Sequence, residues 1–201
     1  MDGLSNQYSM KSPTTRRLAL LTILAALCIG IQLSPRPIPN VEFTSLLVFF
    51  VGAFFGAFIG SALGATVMFV NGFLSPWGFA GLSLPFQITG MVIVGTAGGW
   101  YGRTKKGVYN PSSFLETAVL GAFLTLVYDM ITNFGVAVGY MLLGMPMLPA
   151  IVSALISGAP FSLIHVASNS LVFLAAFFPL TRALQDFFGG EKVWRKDSLP
   201  M

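Results

Sequence analysis

Charge is scarce in this chain. Asp, Glu, Lys and Arg together make up 9% of its 201 residues, against about a quarter in an ordinary soluble domain. So few charges cannot solvate a globular surface, and most of the exterior is expected to face lipid. Cysteine occurs once, at Cys28, which excludes an internal disulfide. Histidine also occurs once, at His165, which excludes a multi-histidine metal site. No G-x-x-x-x-G-K-S/T motif is present, and Gly102-Arg-Thr-Lys-Lys-Gly107 does not fit it. ATP hydrolysis by that route is therefore excluded. The formal net charge of +4 is not a nucleic-acid signature, because the basic residues flank apolar runs instead of forming a patch. They report orientation in a membrane.

What is abundant is apolar. Hydrophobic residues make up 55% of the chain and the mean hydropathy is +0.79. At ~20 residues per crossing, the length suits five or six spanning helices in a single integral membrane domain, 1–201, with no soluble domain. The first apolar run, Leu18 to Leu33, follows Lys11, Arg16 and Arg17. It lacks a small-residue cleavage pattern, so it reads as a retained helix and not as a signal peptide. The expected spans are 17–33, 43–57, 60–72, 85–101, 114–143 and 151–184, in an all-α polytopic bundle.

Within the run from Phe43 to Val70, Gly52, Gly56, Gly60 and Gly64 fall four residues apart. Ala53, Ala57, Ser61 and Ala65 follow one position behind. Such small-residue ladders let helix backbones approach closely in lipid, where van der Waals contact must hold helices together. The 29 residues of 43–71 suit one long tilted helix or two short ones. Lys and Arg, enriched in cytoplasmic loops, arbitrate. With two helices and both termini inside, the inner side holds Lys11, Arg16, Arg17, Arg103, Lys105, Lys106, Arg182, Lys192, Arg195 and Lys196, and the outer side only Arg36. One long helix separates the basic residues less well. Six spans with cytoplasmic N and C termini are expected. The second and third, at about 15 residues, then need local bilayer thinning or cover from neighbours.

Polar residues inside the spans are costly, a central carboxylate by roughly 2.5–3.5 kcal/mol, so they face a cavity or a partner. Asp129 and Asn133 lie one helical turn apart on the fifth span, beside Tyr128. His165 and Asn169 form a second such pair on the sixth. Both pairs reach similar depth from the outer surface, so antiparallel packing of these spans would bring them together. They then make either an interhelical hydrogen-bond clamp or a polar pocket for a small molecule. Glu42, beside Asn40, opens the second span, where a helix dipole alone favours a carboxylate. Asn71, Trp77 and Gln87 surround an aromatic and Gly-rich loop at the outer rim. Trp77 is an interfacial anchor or part of a lid over a flat ligand. Thr22, Ala26 and Gly30, spaced by four on the first span, either pack internally or dock another membrane protein. His165-Val-Ala-Ser-Asn169 is an H-x-x-x-N string of the kind found in CAAX-type intramembrane proteases, which also resemble one another in a paired-glutamate motif. Here Glu42 and Glu116 are solitary. No G-x-S-G accompanies Ser157, which lies two turns from His165 on the same helix. No enzyme is expected.

The chain resembles the substrate-binding S component of energy-coupling factor (ECF) transporters over about Thr14 to Leu184. The resemblance rests on the basic start Thr14-Thr15-Arg16-Arg17-Leu18-Ala19 with the stripe Thr22, Ala26, Gly30, on the Pro-rich loop before the second span, on the two short Gly-rich spans with an aromatic loop after them, and on Tyr128, Asp129 and Asn133. The stripe departs from the all-alanine form of the family. What the resemblance implies is a binding subunit in the cell membrane, free of cofactors. It would take a vitamin or related micronutrient from outside and topple in the membrane against a coupling T subunit driven by two ABC ATPases. The binding residues would then come from Asp129, Asn133, His165, Asn169, Tyr128, Trp77, Asn71, Gln87, Glu42 and Asn40. Trace metal is a poor cargo for a chain with one histidine and no clustered ligands. An ionised Asp129 favours a ligand with donors or positive charge, and a protonated one the reverse. A stand-alone secondary transporter and a scaffold subunit without ligand are the competing readings. The first should carry an inverted repeat, and none is evident.

Overall fold

Gly56 divides the long apolar run. Its backbone sits at φ 100° and ψ 160°, a conformation that only glycine adopts without strain. The chain there leaves one helix, α2 (Thr44–Phe55), and enters the next, α3 (Ala57–Leu74). The computed structural model describes residues 13–34, 40–76, 78–105 and 113–187. Four further helices complete the fold: α1 (Pro13–Leu33), α4 (Leu84–Lys105), α5 (Ser113–Leu142) and α6 (Met147–Phe187), with one 3-10 turn at Gly81–Ser83. No strand occurs among the described residues.

The two-helix division of 43–71 is therefore observed, with two corrections. The break comes at Gly56, not between 57 and 60, and the halves are unequal, at 12 and 18 residues. At ~1.5 Å per residue α2 is about 18 Å long, shorter than the ~30 Å hydrocarbon core. It is enclosed by its neighbours. Every residue from Thr44 to Phe54 is buried, packed against α1, α3, α4 and α6. Cover from neighbours, one of the two expected devices, is therefore present.

The glycine ladder is likewise not one face. Gly56 makes the turn and meets open space. The other three pack, and their main partner is a second ladder on α4. A Cβ on Gly52 or Gly60 would collide with the Gly95 carbonyl, and one on Gly64 with the Met91 carbonyl. From the α4 side, a Cβ on Gly98 would strike the Phe49 carbonyl and one on Gly102 the Ala53 carbonyl. The α2, α3 and α4 backbones thus touch directly. Ser61 Oγ adds polar contacts across the same seam, to Thr96 Oγ1 at 2.8 Å and the Val92 carbonyl at 3.3 Å.

α5 and α6 form a long antiparallel hairpin against this block. Gly144 (φ 92°) turns the chain between them, and its N–H reaches the Met141 carbonyl at 3.0 Å. α6 runs 41 residues, through Pro160 and Pro179. At the far end Lys105 of α4 pairs with Glu116 of α5 at 2.5 Å. α3, α4 with its preceding turn, α5 and α6 are long and apolar enough to cross a membrane. Their outer faces carry bare hydrophobic side chains, including Phe58 at 85% and Trp100 at 70% exposed. That is the surface expected of a helical bundle solvated by lipid and not by water.

Between the two ends lies an aromatic block. Phe49 packs on Tyr101, Phe173 and Phe177 with ring centroids 5.4–5.8 Å apart. Gly121 on α5 gives Phe173 its space. Along α6 the block sits between His165 and Arg182, and it closes the bundle toward the end that carries Lys105 and Arg182.

Candidate functional site

Four separate segments bring polar groups to the opposite end. Asp129 projects from α5 and His165 from α6, and His165 Nδ1 lies 2.7 Å from Asp129 Oδ1. The other ring nitrogen, Nε2, lies 3.3 Å from Glu42 Oε1. All three side chains are buried. Glu42, placed just ahead of α2, also accepts a hydrogen bond from Ser45 Oγ at 2.6 Å. The edge of Tyr128 meets the imidazole at 84°, centroids 5.8 Å apart. Gly90 on α4 leaves room for the Tyr128 ring, and the Tyr128 hydroxyl reaches Met68 Sδ at 3.7 Å.

Two carboxylates therefore flank one imidazole, each within hydrogen-bonding distance of a different ring nitrogen.

A cavity of about 430 Å³ opens beside the cluster, within the range of small-molecule sites. Asp129, His165, Glu42 and Tyr128 form its floor and walls. Asn40, Asn71 and Gln87 join them, with the loop residues Ser75, Gly78, Phe79 and Ala80 at one side. The aromatic loop therefore does border the site, although Trp77 lies outside the described residues. Asn40 is held in a left-handed conformation (φ 62°). Its Nδ2 donates to the Phe161 carbonyl, and its own carbonyl accepts from Ser168 Oγ. These bonds tie the segment before α2 to α6, and so set Glu42 opposite His165.

The two asparagines diverge. Asn133 borders a second cavity of about 300 Å³ between α5 and α6, where Gly158 leaves it space. Asn169 lies deeper, fully buried, with its Nδ2 donating to Thr125 Oγ1 at 3.0 Å. It lines neither cavity. On α1, Thr22, Ala26 and Gly30 all face outward. The Thr22 hydroxyl donates to the Leu18 carbonyl of its own helix, and a Cβ on Gly30 would meet nothing within 4 Å. Among the described residues, the stripe is not packed internally.

Sequence reasoning passes over Gln32 and Thr132, which also line the larger cavity. Gln32 carries a signal, as a lone amide at the end of an apolar run. Its Oε1 accepts from Thr44 Oγ1 at 2.5 Å. Among the described residues, the buried acceptors Asp129 Oδ2, Gln87 Oε1 and Asn169 Oδ1 stand without a protein partner. Each such atom costs about 1–3 kcal/mol. Two of these residues, Asp129 and Gln87, line the same cavity. Comparison with protein-family models, with curated proteins and with solved structures finds no significant match.

Proposed function

We propose that this protein is a multi-pass subunit of the plasma membrane that binds a small organic micronutrient from outside, as an S component of an ECF-type importer. The observation that carries this reading is the cavity with an acidic cluster at one end of the bundle, closed by the Phe49–Tyr101–Phe173–Phe177 block before the other. A site open on one side and sealed on the other suits capture, followed by delivery through movement of the whole subunit. Six spans with both termini cytoplasmic put the cavity outside, in line with the Lys and Arg distribution. The directly packed α2–α3–α4 backbones favour motion as a rigid body. With no ATP-binding motif in the chain, energy comes from partners: a coupling T subunit and two ABC ATPases.

The outward stripe of α1 is the docking surface in this account. An Ala26→Trp variant, reconstituted with the coupling subunit and ATPases, should bind solute as the parent does while uptake falls about ten-fold or more. Equal loss of binding and uptake, or loss of neither, would count against docking through α1. A scaffold subunit would show no solute binding in either protein.

A further inference from the structure

Four carboxamides from four segments line the larger cavity: Gln32 of α1, Asn40 ahead of α2, Asn71 of α3 and Gln87 of α4. Among the described residues, its lining includes no Lys or Arg. The sequence explains why. Neither residue type occurs in 37–102 or in 107–181, and every lining residue except Gln32 comes from those two stretches. On α1, the basic pair Arg16 and Arg17 is about four turns from Gln32. The ionisable side chains of the wall are turned on one another. Asp129 Oδ1 and Glu42 Oε1 approach the two nitrogens of His165, and Glu42 Oε1 also accepts from Ser45. Asp129 Oδ2 is enclosed by protein. The carboxamides are less committed. Asn40 donates to the Phe161 carbonyl and Gln32 accepts from Thr44, whereas the half-buried Asn71 makes no side-chain hydrogen bond among the described residues.

We infer that the solute is an uncharged molecule with an amide-like edge, such as a carboxamide, lactam or ureide, seated against Asn71 and Gln87. An anion would enter beside two carboxyl groups, and the described wall has no Lys or Arg to meet it. Its one imidazole already has a carboxyl oxygen at each ring nitrogen. Burying a charge without a partner is costly. A cation would need a carboxyl oxygen turned toward it. Asp129 spends one oxygen on His165 and has the other enclosed, and Glu42 Oε1 is shared between His165 and Ser45. Carboxamides remain as the main recognition groups. Each carries two donors and an acceptor on one plane, so it pairs with a ligand edge that also places a donor beside an acceptor. A purely anionic or purely cationic group satisfies only half of it.

The inference rests on the solute-binding reading, and its test separates the two. Benzamide, benzoate and benzylamine share one ring and are neutral, anionic and cationic at neutral pH. Each is titrated against the full chain in lipid nanodiscs, with binding followed in the ligand's NMR signals. Benzamide should bind about ten-fold tighter than either charged relative. Asn71→Leu should erase that preference. Gln87→Leu should weaken benzamide in the same direction, which keeps the test valid if the Asn71 variant folds poorly. Arg36 lies outside the described residues, and Arg36→Gln should leave the order of the three probes unchanged. Benzoate or benzylamine binding as tightly as benzamide overturns the inference while leaving solute binding intact. So does a preference for benzamide that survives both leucine variants. If no probe binds while the folded chain still captures a solute from cell extract, the inference falls and the functional reading stands. If nothing binds under either condition, both fall.

Discussion

A Gly98→Val variant should yield almost no folded protein after extraction from the membrane, whereas Gly30→Ala should behave as the parent. The difference lies in what each added carbon meets. At Gly98 a Cβ collides with the Phe49 carbonyl oxygen and lies 2.9 Å from its carbonyl carbon and 3.0 Å from its Cα. These are backbone atoms of a fully buried helix, which cannot rotate aside as a side chain does. Phe49 also anchors the aromatic block through three ring contacts, so shifting it disturbs α2, α4 and α6 together. Overpacking of this kind costs about 3 kcal/mol or more. Lipid supplies no hydrophobic compensation for helices that have been pushed apart. At Gly30 nothing lies within 4 Å. Thermal melts of both variants, followed by size-exclusion recovery, check this. Equal recovery of the two would mean that close backbone contact does not hold the bundle.

The second large effect is expected at His165. Its removal by His165→Ala leaves Glu42 and Asp129 buried in one place with no group between them, and should destabilise the fold by about 3–5 kcal/mol. Most of that cost comes from two buried carboxyl groups losing their shared hydrogen-bonding partner, not from a lost packing contact. The double variant His165→Ala with Asp129→Asn should therefore be more stable than His165→Ala alone, with a coupling of about 1–3 kcal/mol. Thermal stability of the four proteins in the cycle measures this. Additive losses would show that the imidazole is packed in the core without bridging the carboxylates.

Much of this arrangement can be read from the sequence, and the gaps have physical reasons. Matched depth on adjacent antiparallel helices is enough to pair Asp129 with His165. The same reasoning groups Asn133 and Asn169 with them, and there it reaches its limit. A step of four residues advances ~6 Å along a helix, outward on α5 but inward on α6, because the two run in opposite directions. One asparagine therefore goes to the outer cavity between the helices and the other to the core beside Thr125. Glu42 looks like an ordinary first-turn carboxylate, since nothing local distinguishes that role from a contact with a histidine 123 positions away. Gly56 is hidden within its own ladder. Spacing shows where glycines recur, but not which of them carries a positive φ. The partner ladder on α4 is equally invisible, because a packing surface is a property of two helices.

The central claim is that the chain holds a small molecule. Native mass spectrometry of the full chain in lipid nanodiscs, after exposure to a small-molecule extract of cells, tests this whatever the identity of the cargo. The prediction is one solute per chain, retained through size exclusion and absent from a folded Asp129→Asn variant. A folded parent chain that shows only its own mass at every extract concentration would contradict the claim, and so would capture that Asp129→Asn leaves unchanged.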